Sequence, residues 1–176
     1  TKEQKQLTED KNKYHVSADW SPDGNYIVGT RGRRNIKPFI LHKDGGSGAA
    51  LLSKNKNQKF IDPAFSADGN HIYFSSRSGA WNYNAQLPQY QIVSYYREDG
   101  DTETITSRYG SSFTPTFSDD GQWMVYGSRF EEHTGLVLRN LKNGDERWLA
   151  YPVQRDEQES IAPLGVLPAM SFTPDS

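Results

Sequence analysis

"FSADGNHIYFSSR", residues 65–77, decides how the rest of the chain is read. It opens on an aromatic residue, passes through Ser-x-Asp-Gly, and runs into β-branched and aromatic residues that end at Arg77. The phrase stands again at 20–31 as "WSPDGNYIVGTR" and at 117–129 as "FSDDGQWMVYGSR", and a fourth beginning, "FTPDS", occupies 172–176. The anchors Trp20, Phe65, Phe117 and Phe172 are therefore 45, 52 and 55 residues apart. The first copy is one residue shorter between Gly24 and Arg31. Self-similarity at such a period marks a stacked-repeat architecture.

The physics of the phrase is a tight turn. Ser21, Ser66 and Ser118 sit where a side-chain oxygen caps a turn, and Pro22 presets φ near −65°. Gly24, Gly69 and Gly121 fall where the chain wants positive φ, which predicts a type I turn with a glycine bulge joining two strands. A third strand is read in "PFILHKDGG" (38–46), "QIVSYYREDG" (91–100) and "LVLRNLKNG" (136–144), each closing on a Gly turn. A short fourth follows in "ALLS" (50–53), "ETITS" (103–107) and "RWLA" (147–150). Four strands per unit at this period predict blades of a β-propeller. The fold expected is all-β: three complete four-stranded blades at about 14–53, 61–107 and 113–153, with part-blade strands within 1–13 and 163–176. No segment keeps the i, i+3, i+4 apolar spacing of a helix.

Composition agrees with strands. Aromatic residues make up 12% of the 176, against a hydrophobic fraction of only 34%, and aromatics favour pleated surfaces. The net charge of −2 offers no field for nucleic acid, whose phosphates need clustered positive charge. The "RGRR" run at 31–34 is too small to change that. There is no cysteine, so disulfides and thiolate metal sites are excluded. No apolar run approaches the ~18 residues of a membrane span, and membrane insertion is not expected.

The opening "TKEQKQLTED" reads as internal to something longer, with "KQLTED" (5–10) resembling the last strand of a preceding blade and "PAMSFTPDS" the first strand of a following one. Three blades do not close a ring, and their outer apolar faces invite partners. Homo-association of the fragment is therefore expected, the simplest form being a dimer that closes six blades about a two-fold axis.

The residues also carry a family resemblance. "PAFSADGNHIYFSSRSG" (63–79) resembles the WD-like repeat of TolB-type β-propellers, over about residues 5–176. Such repeats occur in the periplasmic protein TolB and in propellers attached to prolyl oligopeptidases and amidohydrolases. A second likeness lies in "LAYPVQRDEQES" (149–160) with "LPAMSFTPDS" (167–176), which is similar to the propeller region of secreted metal-dependent amidohydrolases. The resemblance implies a periplasmic or secreted setting. It also implies either a non-catalytic module binding a protein or peptide, or the substrate-orienting part of a larger hydrolase with its catalytic domain elsewhere. Two departures stand out: Ser176 where the repeat has Gly, and the shortened first copy.

Chemistry is sparse. His15, His42, His71 and His133 show no metal-ligand spacing, no G-x-S-x-G elbow is present, and neither a cofactor nor a metal is expected. Arg31, Arg77 and Arg129 follow the second strand of each unit, so they form either an anion-binding ring or a structural tie, for instance to Asp23, Asp68 or Asp120. The loop 78–90 carries Trp81, Tyr83 and Tyr90, a candidate contact surface or an aromatic loop folded onto its own blade. Asp156, Glu157 and Glu159 lie in a second long loop without a Ca²⁺-binding phrase.

Overall fold

The computed structural model describes residues 4–9, 11, 13–32, 36–52, 58–77, 89–130, 133–150 and 170–175. Twelve strands and no helix are found among them. The first sheet contains β1 (Tyr14–Trp20), β2 (Tyr26–Gly32), β3 (Lys37–His42) and β4 (Ala49–Ala50). The second contains β5 (Lys59–Phe65), β6 (His71–Arg77), β7 (Gln91–Tyr96) and β8 (Thr102–Thr104). The third contains β9 (Ser111–Phe117), β10 (Trp123–Phe130), β11 (His133–Asn140) and β12 (Glu146–Ala150). Each is an antiparallel meander in chain order. The architecture is that of a partial β-propeller, an open arc of blades.

The turn that opens each second strand is built the same way three times. Ser66 Oγ donates to Asp68 Oδ1 at 2.5 Å and accepts from the His71 N–H at 2.9 Å, while Asp68 Oδ1 accepts from the Asn70 N–H at 3.0 Å. The same bonds join Ser21, Asp23, Asn25 and Tyr26, and Ser118, Asp120, Gln122 and Trp123. The bulge glycine of the second copy, Gly69, has φ of 72°. These bonds favour the charged carboxylate, so Asp23 is lowered to about 2, chiefly by the Ser21 hydroxyl, and Asp68 and Asp120 are lowered too.

The core lies between sheets, not within one. Val28 of β2 packs with Phe60, Phe65, Ile72 and Phe74 of the second sheet. Ile92 of β7 packs with Met124, Tyr126 and Val137 of the third. A middle blade is thus covered on both faces, which explains why β6 buries consecutive residues where a one-sided strand would alternate. In the first two sheets the fourth strand is shorter than the sequence pattern suggests, whereas β12 spans all of its predicted stretch. Pairing in the first sheet stops at Ala50, and Leu51 and Leu52 turn inward to join the first core, with Leu52 at φ of 52°. Ile105, just past β8, joins the second core in the same manner.

Residues 4–9 form no strand; Lys5 Nζ donates to the Asp44 carbonyl at 2.7 Å beside the first sheet. Residues 170–175 end in a turn.

Candidate functional site

The innermost strands β1, β5 and β9 line a groove of about 750 Å³ on the inner side of the arc. Each of these strands is bulged, with register breaks between Val16 and Asp19, between Ile61 and Ala64, and on β9 between Phe113 and Thr116. At each bulge one non-glycine residue takes positive φ: Ser17 at 53°, Asp62 at 50° and Thr114 at 54°. Such conformers are costly and persist only where surrounding structure holds them. Here the effect is to aim one polar side chain per blade into the groove.

Asp62 is the focus of the three. Its Oδ2 accepts from the Thr114 hydroxyl at 3.2 Å and from the Ser75 hydroxyl at 3.4 Å, and the Ser17 hydroxyl also bonds to the carboxylate. Burial raises its pKa, against the pull of those three donors. Asp19, on the same wall, accepts from the Phe65 N–H at 2.8 Å, and burial raises it as well. Ser75 Oγ accepts from the Thr114 N–H at 2.8 Å. These bonds join the inner strands of successive blades, so the groove wall is cross-braced where its polar groups sit.

The arginines do not share one position. Arg77 pairs with Lys59 and Arg129 with Ser111, three residues before Asp62 and Thr114 respectively. In the first sheet that position belongs to Gly32, opposite Tyr14. Arg31 pairs with His15 and so occupies the place of Ser76 and Ser128. The cause is the residue missing between Gly24 and Arg31: successive side chains point to opposite faces, so a shortfall of one flips the side chain. The expected ring of three is corrected to a pair. Arg31 instead lies 3.7 Å from the Phe39 ring centroid, and Arg129, 7% exposed, lies 5.4 Å from that of Phe113. The tie to the turn aspartates is corrected too, since Asp23, Asp68 and Asp120 lie beyond the opposite end of each second strand.

Arg77 and Arg129 both act electrostatically on Tyr90. Burial raises the Tyr90 phenol, and both guanidiniums act on it in the lowering direction while Asp62 acts in the raising one. Trp81 and Tyr83 lie outside the described residues, as do Asp156, Glu157 and Glu159. The histidines are dispersed. His15 meets Phe39 edge-on, His42 sits 3.3 Å from Asp44, and His71 packs on Tyr96.

Two inter-blade anchors escaped the sequence reading. Arg97 lies 5.0 Å from the Tyr26 ring centroid in the first sheet, 5.5 Å from that of Phe65, and donates to the Gly69 carbonyl at 2.7 Å. Glu146 binds Arg108 and Arg139 at 2.7 Å each, joining the end of the second sheet to the third. Arg97 follows its strand as Lys43 and Leu141 follow theirs, so no repeated letter marked it.

No family model and no curated protein matches the sequence. Solved structures do. The chain is similar to a protein assigned as TolB from Agrobacterium tumefaciens, with 22% identity, 81% of this chain and 50% of that one covered, and a TM-score of 0.64. It is similar to TolB from Acinetobacter baumannii at 17% identity, with 86% and 35% covered and a TM-score of 0.67. A prolyl endopeptidase matches at 13% identity, with 83% and 23% covered and a TM-score of 0.61. The chain has the TolB-type propeller fold and spans half or less of these structures.

Proposed function

We propose that this chain is a non-catalytic binding module whose braced arc presents the inner groove and its neighbouring loops to a protein or peptide ligand. The observation that carries the reading is the groove itself, walled by the same bulged segment of three successive blades. Binding residues concentrate where a rigid scaffold holds irregular backbone. The test is backbone-amide NMR on the 176-residue chain titrated with pools of end-blocked peptides. Saturable shifts at Ser17, Asp62 and Thr114 are expected. A library that produces shifts nowhere along β1, β5 or β9 would overturn the reading.

A second reading rests on the likeness to a prolyl endopeptidase: the arc orients substrate for a catalytic domain outside this chain, a metal-dependent amidohydrolase in the version the sequence suggests. A parent reading frame with an H-x-H-bearing barrel beyond residue 176 selects it, and one with only further blades selects the binding module. A periplasmic or secreted setting goes with either reading and rests on the TolB-type fold.

The chain also associates with itself on this proposal. Tyr14, Val16 and Trp20 are 66%, 51% and 56% exposed on β1, a strand whose counterpart β5 is packed against a neighbour. Two arcs joined through such flanks close a six-bladed ring. Sedimentation equilibrium across a wide concentration range tests it, a monomer throughout being the contrary result.

A further inference from the structure

We infer that the inner groove is selective for a ligand bearing an organic cation, a lysine ammonium or an arginine guanidinium, that docks on Asp62. The inference rests on the binding-module reading and adds the chemistry of its ligand.

Three observations point there. The Asp62 side chain is half-buried and lines the groove. Its protein partners are the hydroxyls of Ser17, Ser75 and Thr114, and among the described residues no ammonium or guanidinium pairs with it. A half-buried carboxylate held by hydroxyls, with no charged partner among the described residues, is the state that a cationic ligand relieves. Asp19 lines the same groove, is half-buried and accepts from the Phe65 N–H, so a second carboxylate adds to the field.

The walls favour an organic cation over a bare ion. Between the polar positions run Ala18, Pro63, Ala64 and Pro115, surfaces suited to the methylene stem that lysine and arginine lay along apolar surroundings while the head reaches a polar partner. Among the described residues no group of three or more His, Asp or Glu converges as metal ligands, and a hard divalent ion needs six or more oxygens in Ca²⁺ sites. A groove of about 750 Å³ also exceeds what an ion needs and suits a side chain with its flanking peptide.

The experiment selects binders from a library of random dodecapeptides, acetylated and amidated at their ends, against the whole 176-residue chain with a chelator present. Lysine or arginine is expected at a common position of the peptides selected. Replacing it by norleucine or citrulline should weaken binding about 10-fold or more, the value of one hydrogen-bonded charge. Asp62→Asn, which keeps an oxygen to accept from Thr114, should cost the same factor, and the two changes together should cost little more than either alone. Asp101→Asn, in a turn remote from the groove, should leave affinity unchanged, and thermal melting should show both variants folded. Groove-binding peptides without a basic residue, or with affinity indifferent to Asp62→Asn, overturn the inference and leave the binding module standing. A library that yields no binder overturns both.

Discussion

β1 and β5 are the same strand of successive blades. Each has seven residues, each is bulged with one residue at positive φ, and each ends on the aromatic that precedes the Ser-x-Asp-Gly turn. Yet Phe65 is 5% exposed and Trp20 56%. Phe65 meets the first sheet through Val28, whereas the outer flank of β1 meets no further sheet among the described residues. Burial here is a property of the neighbour and not of the strand. A blade writes on its own flank the apolar residues that only a second blade can cover.

The largest expected effect separates the two anchors. Phe65→Ala should lose about 3–5 kcal/mol in urea denaturation, by transfer loss and cavity together. Trp20→Ala should change the stability of dilute monomer by no more than about 0.5 kcal/mol. Equal losses would break the comparison and require a cover over β1.

A smaller contrast concerns two glycines of second strands. A Cβ on Gly127 would meet the Phe113 ring at 2.6 Å, and Phe113 is itself buried, so Gly127→Ala should cost about 1–3 kcal/mol. On Gly29, in the first sheet, a Cβ would find ordinary contacts at 3.5 Å or more. Gly29→Ala should be neutral or stabilise by up to about 1 kcal/mol, through the unfolded chain. Matched melts of the two variants measure the difference.

The turns should ignore the contrast. Ser21→Ala and Ser118→Ala each strip one buried hydroxyl that accepts from a backbone N–H, so each should cost about 1–2 kcal/mol. A much smaller loss at Ser21 would mean that the turn, too, depends on a flanking blade.

The smallest effect is with pH. Asp23, Asp68 and Asp120 are all lowered in the folded chain, chiefly by serine hydroxyls and backbone N–H groups in the turn, with Asp68 working against a burial cost. A lowered folded pKa stabilises above the ordinary aspartate value of 3.8 and is lost as pH falls toward the folded one. For Asp23 the window is from about 4 to about 2. Stability measured across it should fall less steeply in Asp23→Asn than in the parent chain. Asp62 runs the other way. Its raised value means that the charge opposes folding at neutral pH and that acidification through the raised value relieves it.

The repeat was legible because its turn is local. Ser, Asp and Gly within four residues dictate the hydrogen bonds whatever surrounds them, and the structure draws the same turn at Ser21, Ser66 and Ser118. The candidate site was less legible. Letter-by-letter alignment places Arg31 with Arg77 and Arg129, but the ladder counts residues from the turn, and one absent residue reverses a face. The inward aim of Ser17, Asp62 and Thr114 arises from strand bulges, which have no fixed letter; Pro63 and Pro115, each directly after a bulge residue, were the only available hint. Arg97 links two blades through the ring faces of Tyr26 and Phe65, a contact set by how sheets stack, which no single-blade pattern records.

The bulged inner strands separate what the molecule can vary from what it must keep. Serine, aspartate and threonine occupy the same spot in three blades, a freedom that the packed flanks lack. Each module therefore contributes one interchangeable letter to a word spelled around the axis. Exchanging those letters would change the chemistry that lines the groove and leave the packed flanks as they are, at the cost of the bonds that brace its wall.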